Sequence, residues 1–241
     1  MPIAVLSDIH ANLAAFEAVL KDIDAHDAAE IISLGDNVGY GPQPDEVVQL
    51  CRARRVISVA GNHEVGVVLQ HERSRFNSQS REALMRTVEL LSPESIEWMS
   101  LLPYGLTRHG CRFVHGMPPS SVHKYLFSVN GGELKGAFQA FLGPLCFVGH
   151  THELELVQLK DGTLTRRPLV EGDNVLDMTT RYIVNVGSVG QPRDGDNRAK
   201  YALWYPDEGR VVIRFIPYDI ERTVALFPER GMPLRYADRL K

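Results

Sequence analysis

Side chains of the kinds that bind metal ions stand just after short apolar runs of this sequence. Five such runs each finish in a small turn that carries a carboxylate, a carboxamide or an imidazole. In chain order, these groups are Asp8, His10, Asp36, Asn62, His63, His115, His150 and His152. Each one alone has an ordinary explanation, because aspartate and asparagine are common in turns and a single histidine is more often structural. Their repetition after five separate runs indicates one shared site.

The mixture of side chains predicts which metals such a site would hold. Imidazole, carboxylate and carboxamide together suit manganese, iron, zinc or cobalt, whereas calcium and magnesium prefer sites made of oxygen atoms. Even without His63, two carboxylates, one carboxamide and four histidines are too many donors for one ion. They suit two ions that share a carboxylate, typically about 3.5–4 Å apart. Such a pair lowers the pKa of a shared water and stabilises an in-line phosphoryl displacement.

The elements that must position these groups alternate between strand and helix over the first part of the chain. Apolar runs at 3–8, 30–36 and 56–64 predict three strands. Between them, Asn12 can cap one helix and Pro44 can open another. This alternation predicts a parallel sheet with helical crossovers, and ligands of such sheets bind outside the carboxyl ends of the strands. We therefore expect the candidate ligands to converge in one cleft.

The rest of the chain predicts two helices and then a β-rich tail. The helices are expected between about Asn77 and Leu102, broken where Ser92 and Pro93 start the second one. Further predictions are strands at 111–116 and 145–152, a helix at 132–143, a hairpin at Asp161 and Gly162, later strands, and a last helix from near Asp219. Because no long linker interrupts the sequence, we expect a single domain over 1–241 with a helical insertion at about 70–105.

The composition is that of an ordinary globular protein. Of the 241 residues, 44% are hydrophobic and 23% are charged, and no apolar run is long enough to cross a membrane. A net charge of −4 without a basic stripe argues against a nucleic-acid partner. The three cysteines cannot form a closed disulfide set, and no leader precedes the first strand, so we expect a cytoplasmic protein. The oligomeric state is left open.

Six sequence motifs resemble those of a known family. The motifs DIH (8–10), GDN (35–37), GNHE (61–64), HG (115–116) and GHTH (149–152), in this order, resemble those of the calcineurin-like metallophosphoesterase superfamily. The later NVGSVGQPRD (185–194) resembles a segment of its bacterial members. The resemblance implies an α/β fold in which a two-sheet β-sandwich is flanked by helices, in four αββα layers. It also implies a metal-dependent phosphoric ester hydrolase that acts on a small phosphomonoester or phosphodiester, nucleotides included.

Carried over residue by residue, the resemblance implies two divalent or trivalent transition-metal ions, with manganese, iron or zinc as the metals. It assigns Asp8, His10 and His152 to one ion, Asn62, His115 and His150 to the other, and Asp36 to a bridging position. A hydroxide that bridges the ions would attack phosphorus. His63 would contact the phosphate and protonate or stabilise the leaving oxygen.

The sequence departs from the protein Ser/Thr phosphatases of that superfamily where they grip phosphate. Those enzymes carry an Asp-Arg pair shortly after the bridging aspartate, and here Gly39 and Tyr40 stand in those places. The aspartate that would orient the catalytic histidine is missing as well. Arg193, on a glycine-rich loop, is the expected replacement for the phosphate clamp, with Tyr40 as a second substrate contact. A salt-bridged surface position is the alternative interpretation of Arg193.

Two other functions are kept as alternatives. One is a phosphoprotein phosphatase, which the missing Asp-Arg pair puts in doubt. The other is a non-catalytic binding protein that keeps the fold but has lost its metals. Such a protein should lack several ligands, and this chain lacks none.

Overall fold

Two six-stranded sheets form the centre of the computed structural model, which describes residues 1–241. The first sheet contains, in spatial order, β3 (Ile57–Ser58), β2 (Glu30–Ser33), β1 (Ile3–Leu6), β11 (Ala199–Tyr205), β12 (Arg210–Ile216) and β9 (Gly172–Val175). The second contains β4 (Leu106–Arg108), β5 (Cys111–Phe113), β6 (Leu145–Val148), β10 (Arg181–Val186), β7 (Leu154–Lys160) and β8 (Thr163–Pro168). Strands β1, β2 and β3 are parallel, and so are β5, β6 and β10. Within each sheet, the carboxyl ends of these strands therefore lie along one edge.

Helices cover the outer faces of the two sheets. The α-helices are α1 (Leu13–Ala25), α2 (Pro44–Ala53), α3 (Asn62–Val68), α4 (Ser78–Leu90), α5 (Pro93–Ser100), α6 (Gly131–Gln139) and α7 (Ile220–Glu229). Short 3-10 helices lie at Gln70–Arg75, Leu126–Ser128, Pro206–Glu208, Leu234–Tyr236 and Asp238–Leu240. Helices α1 and α2 pack on the first sheet and α6 packs on the second. The predicted αββα layers are confirmed, and no helix is both long and apolar enough to cross a membrane.

The alternation of side chains along the strands separates the layers. In β1, Ile3 and Val5 lie in the core between the two sheets, whereas Ala4 and Leu6 lie in the cluster formed with α1. The same alternation holds in β6, whose residues divide between the inter-sheet core and the cluster around α6. Because both faces of these strands are buried, they appear in the sequence as continuous apolar runs.

Three predicted helix starts are confirmed by their caps. The side chains of Asn12, Ser92 and Asp219 each accept a hydrogen bond from a backbone N–H three residues further along the chain. Pro93 occupies the first turn of α5, where its missing N–H costs no hydrogen bond.

The predicted strand at 56–64 is wrong in its second half. Strand β3 ends at Ser58, and Asn62 begins helix α3. The cause is Glu64, whose side chain accepts a hydrogen bond from the N–H of Gly61 and thereby caps the helix. Asn62 and His63 therefore stand on the first turn of a helix instead of at the end of a strand.

Two short edge strands, β4 and β9, are absent from the sequence-based prediction. Strand β9 has the sequence GDNV, whose polar residues have a low strand propensity, and it pairs with β12. Helices α4 and α5 do lie in the range 70–105, where a helical insertion is predicted.

Candidate metal centre

The predicted ligands lie where the strand ends of both sheets meet. The loops after β1 and β2 carry Asp8, His10 and Asp36, the loops after β5 and β6 carry His115, His150 and His152, and α3 carries Asn62 and His63. The two sheets approach closely here, because the N–H of His150 donates to Asp8 Oδ2 at 3.0 Å. A Cβ at Gly149 would lie 1.9 Å from Ser7 Oγ, so only glycine permits this approach.

A first group of metal-binding atoms is formed by Asp8, His10 and His152. The Nε2 atoms of the two histidines lie 3.0 Å apart. Asp8 Oδ1 lies 3.6 Å from Nε2 of His10 and 3.2 Å from Nε2 of His152. All three residues are buried, and their donor atoms lie close enough together to hold one ion.

A second group is formed by Asp36, His115 and His150, with Asn62 beside it. His115 Nε2 lies 3.0 Å from His150 Nδ1, 3.2 Å from Asn62 Oδ1 and 3.2 Å from Asp36 Oδ2. The same Asp36 oxygen lies 3.9 Å from His10 Nε2 in the first group. Asp36 is thus in reach of both groups, as a bridging residue must be.

The outer ring nitrogen of each of these four histidines contacts a backbone carbonyl oxygen. The contacts are His10 Nδ1 to Val38 at 3.0 Å, His115 Nδ1 to Leu34 at 3.0 Å, His152 Nδ1 to Gln191 at 2.6 Å, and His150 Nε2 to His123 at 3.3 Å. A carbonyl oxygen can only accept, so a neutral ring in this position carries its proton on the outer nitrogen. In a neutral ring, the inner nitrogen then points a lone pair into the site.

Burial keeps most of the rings neutral. It lowers the pKa of His63 and His150 to about 3 and that of His152 to about 4. Burial also acts to lower the pKa of His115, but the neighbouring carboxylates, Asp36 foremost, together outweigh it and raise that pKa to about 9. Conversely, burial acts to raise the pKa of Asp36, but the surrounding histidines, His115 foremost, together outweigh it and hold that pKa well below its usual range.

One oxygen in the first group has no partner. Asp8 Oδ1 is buried and accepts no hydrogen bond, although the other oxygen of this carboxylate is satisfied by His150. The atoms nearest to it are ring nitrogens whose protons point elsewhere. A buried carboxylate oxygen without a donor is costly, and a cation at this place would satisfy it.

The backbone around the site is strained. Six of its residues adopt left-handed φ angles between 47° and 69°, namely Asp8, His10, Asp36, Tyr40, His150 and His152. Each such conformation costs on the order of 1–3 kcal/mol and persists only where the surrounding structure fixes it. Their concentration at these loops is typical of a functional site.

Comparison with known proteins decides the family. Residues 1–209 match the calcineurin-like phosphoesterase superfamily domain. The chain belongs to this superfamily. An uncharacterized protein of Methanocaldococcus jannaschii is 35% identical to it, across 99% of this chain and 96% of that protein.

Two solved structures agree with this assignment. A metallophosphoesterase from Sphaerobacter thermophilus is 40% identical, covers 100% of this chain and 98% of its own, and superposes with a TM-score of 0.85. A hypothetical protein from Pyrococcus horikoshii is only 18% identical but has the same fold, with a TM-score of 0.80 over 99% of this chain and 97% of its own. The predictions of the family, of the two-sheet fold and of a metal-dependent phosphoric ester hydrolase are confirmed.

Glu64 joins the loop of Asp36 to helix α3 in this phosphoesterase, although no role was predicted for it from the sequence. Its Oε2 accepts the N–H groups of Asp36 and Gly61, each at 2.8 Å, and its Oε1 accepts the N–H of Asn37 at 2.7 Å. The side chain is fully buried, and burial raises its pKa. The capping spacing from Gly61 to Glu64 was the available sequence signal. The contacts to Asp36 and Asn37 have no local signal.

His63 lies beside Asp36 but is not paired like the other histidines. Its Nε2 is 4.0 Å from Asp36 Oδ2, and its backbone N–H donates to Asp36 Oδ1 at 2.8 Å. Its Nδ1 is buried without a hydrogen-bond partner. A Cβ at Gly39 would lie 2.0 Å from this nitrogen, so residue 39 cannot supply the missing orienting side chain in this backbone. His63, His10 and Asp36 also form a third group of atoms close enough to hold a cation.

A cleft of two adjoining cavities opens beside these residues. The first cavity, of about 280 Å³, is lined in part by Asn62 and His150, and the second, of about 510 Å³, in part by Arg193. Tyr40 and Tyr125 line both cavities. Both residues that the sequence predicts for substrate binding, Tyr40 and Arg193, are therefore at the cleft.

Arg193 is exposed but forms no salt bridge. The side-chain partner of its guanidinium is Gln191 Oε1 at 3.4 Å. Its backbone N–H donates to the carbonyl of His152 at 3.2 Å. His123 also lines the first cavity.

Replacing Glu64 with glutamine is expected to destabilise the fold and loosen the site. The new amide nitrogen cannot accept, so at least one buried N–H loses its acceptor, at a cost of about 1–3 kcal/mol. Urea unfolding measures this loss, and metal analysis of the purified protein should show reduced content. The matched control is Glu17→Gln, at an exposed ion pair with Arg222, which should change the free energy of unfolding by less than about 0.5 kcal/mol. Equal stability of the two variants would contradict the role of Glu64.

Proposed function

We propose that the protein hydrolyses a small phosphomonoester or phosphodiester at a centre of two transition-metal ions. One ion is held by Asp8, His10 and His152, the other by Asn62, His115 and His150, with Asp36 shared between them. We propose manganese, iron or zinc, because these metals accept nitrogen and oxygen donors together. The observation that carries the proposal is the approach of the inner imidazole nitrogens of His10 and His152 to 3.0 Å, next to an Asp8 oxygen that has no hydrogen-bond partner.

The pair formed by His10 and His152 shows why a cation fits there. Two nitrogens at this distance would normally share a proton, but both outer nitrogens face carbonyl oxygens and claim the protons of neutral rings. Two facing lone pairs repel each other unless a cation lies in reach of both. Nitrogens bound at about 2.1 Å to one ion lie about 3 Å apart when their bonds meet at about 90°. The observed spacing is therefore compatible with one shared ion.

Two bound ions would lower the pKa of a water molecule and stabilise the charge that develops on a phosphoryl group. The residues of the chain hold these ions, orient the substrate and limit access of bulk water. Because Asp8, Asp36 and His115 are buried, the reaction takes place at a site shielded from bulk water, where electrostatic interactions are strong.

We assign His63 to the phosphate or the leaving oxygen. Because its pKa is about 3 in the substrate-free protein, the ring is neutral at neutral pH and can donate one hydrogen bond. Proton transfer from this ring would require a bound phosphate to raise that pKa. Packing against Tyr40 and Phe76, with ring centroids at 4.5 and 5.1 Å, limits the positions open to the ring.

We assign Arg193 to the non-bridging oxygens of the reacting phosphate. It lines the cleft next to Tyr40, and its backbone is hydrogen-bonded to His152. A planar guanidinium can bind two phosphate oxygens at once, whereas the phenol of Tyr40 offers one donor.

Asp36→Asn tests the metal centre. The amide keeps the shape but removes the negative charge shared by both ions. We expect lower metal content and a fall in kcat of more than about 100-fold, beyond the 10–100-fold typical of residues that only support a ligand. The substrate is chosen from phosphomonoesters, cyclic nucleotides and dinucleoside polyphosphates, each assayed with manganese, iron, zinc or magnesium. Asp207→Asn, at an exposed carboxylate, is the control. Full metal content and rate in the Asp36 variant would exclude a bridging role.

His63→Ala separates binding of the metals from chemistry. The variant should keep the metal stoichiometry of the natural protein and lower kcat by about 10²–10⁴-fold, the usual contribution of a proton-donating group. Elemental analysis and steady-state kinetics are measured on the same preparation. Loss of one ion from the variant would instead place His63 in the third group of metal-binding atoms, with His10 and Asp36.

Arg193→Lys tests the phosphate contact, because lysine keeps the charge but loses the planar pair of donors. We expect kcat/KM to fall about tenfold or more for the accepted substrates. Arg198→Lys is the matched control on the same loop, where the arginine is already ion-paired with Asp196. If kcat/KM is unchanged for every substrate, the phosphate is bound by the metals and His63 without Arg193.

A further inference from the structure

We propose that the cleft binds a second phosphate group at Arg239, so that the enzyme prefers small organic molecules that carry two or more phosphates. This inference rests on the proposed function, in which the reacting phosphate lies at the metal centre. It assigns a role to the last turn of the chain, which none of the catalytic motifs includes.

The charge of the cleft is the first observation. The chain carries 30 acidic and 26 basic residues, yet neither cavity is lined by an aspartate or a glutamate. Three arginines do line them, namely Arg75, Arg193 and Arg239. In a protein with a net negative charge, such a cleft concentrates positive potential and attracts anions.

The partners of these arginines show which of them can bind a ligand. Arg75 is neutralised by Glu72, with 2.6 Å between Nε and Oε2. Arg193 has only the amide oxygen of Gln191, at 3.4 Å, and Arg239 packs over the ring of Tyr236 without a carboxylate in contact. Two guanidinium groups on the wall of one cavity therefore keep their donors free for anions.

A stack of aromatic rings fixes Arg239 relative to the metal centre. Its guanidinium lies 5.1 Å from the centroid of Tyr236, which is buried and stacks on Tyr40 at 4.6 Å. Tyr40 in turn packs against His10 with 4.6 Å between ring centroids. Arg239 is thus anchored two aromatic rings away from a predicted metal ligand, along the wall of the second cavity.

The size of the cleft fits a ligand larger than one phosphate. The two cavities, of about 280 and 510 Å³, adjoin each other and share Tyr40, Asn77, Ser80 and Tyr125 in their linings. Volumes of this order accommodate small organic ligands. A phosphate at the metal centre would leave the second cavity to the remainder of the substrate, beside Arg193 and Arg239.

Equilibrium binding tests the second phosphate site without turnover. Isothermal titration calorimetry compares the 5′-phosphonate analogue of adenosine monophosphate, in which a P–C bond replaces the cleavable ester, with α,β-methylene-ADP, whose bridging carbon blocks cleavage between its phosphates. We expect the natural protein to bind the diphosphate analogue about tenfold more tightly or better, as charge-assisted hydrogen bonds allow. Arg239→Gln should abolish most of this difference.

The matched control is Arg235→Gln. Arg235 belongs to the same terminal segment and lies 5.6 Å from the centroid of Tyr236, but it is paired with Glu82 and lines neither cavity. This variant should keep the preference for the diphosphate analogue. The control is needed because a diphosphate could also gain affinity from the metals alone, and only the comparison of Arg239 with Arg235 isolates the guanidinium.

Two results would overturn the inference. Equal affinity of the natural protein for both ligands would exclude a second phosphate site, and an unchanged preference in Arg239→Gln would exclude Arg239 from it. Hydrolysis of p-nitrophenyl phosphate is measured in parallel. Turnover of this monophosphate without a diphosphate preference refutes only the second site, whereas absence of any turnover with every metal refutes the proposed function.

Discussion

The arrangement of the site depends on the carboxylate of Asp36, which has no access to water. One of its oxygens accepts the N–H of His63 and so holds helix α3, while the other faces His115. Its backbone N–H is bound by Glu64, a second buried carboxylate. Burying a charge is costly unless it is compensated. Here His115 carries compensating charge in the absence of metal, and bound cations would replace its proton.

The same compensation explains why the strained loops persist. Six left-handed residues at about 1–3 kcal/mol each represent on the order of 10 kcal/mol, as much as the net stability of many domains. Asp8 and His150 are held in these conformations by a hydrogen bond across the two sheets, and Gly149 gives it room. The close approach of the sheets depends in turn on the apolar core between them. The site and the core thus stabilise each other, and removal of either would release the strain.

The sequence predicted the two-sheet fold, but it missed or misplaced several elements within it. Asp8, His115 and His150 follow buried strands, and a buried strand that ends in a turn is visible locally as an apolar run followed by polar residues. Asn62 and His63 were placed on a strand, whereas β3 has only two residues and Glu64 caps α3 through the N–H of Gly61. The contacts of Glu64 to Asp36 and Asn37 reach residues far away in the chain, for which a single sequence has no signal. Edge strands such as β9 are defined by pairing across the sheet, for which a single sequence has no signal. The single domain over residues 1–241, with a helical insertion, stays a prediction.

Two arginines of the cleft differ in how they are connected to the metal ligands. The loop of Arg193 is hydrogen-bonded to a ligand, whereas Arg239 is not. The loop of Arg193 also supplies the carbonyl of Gln191 to His152, and it is held from below by the buried Lys200, whose Nζ lies 2.8 Å from Asp194. A change in that loop would therefore disturb a ligand together with the phosphate contact. Arg239 makes no hydrogen bond to the ligand loops and reaches them only through stacked rings. A phosphate contact at Arg239, as proposed above, would therefore let the terminal segment set substrate preference while the geometry of the metal centre is kept.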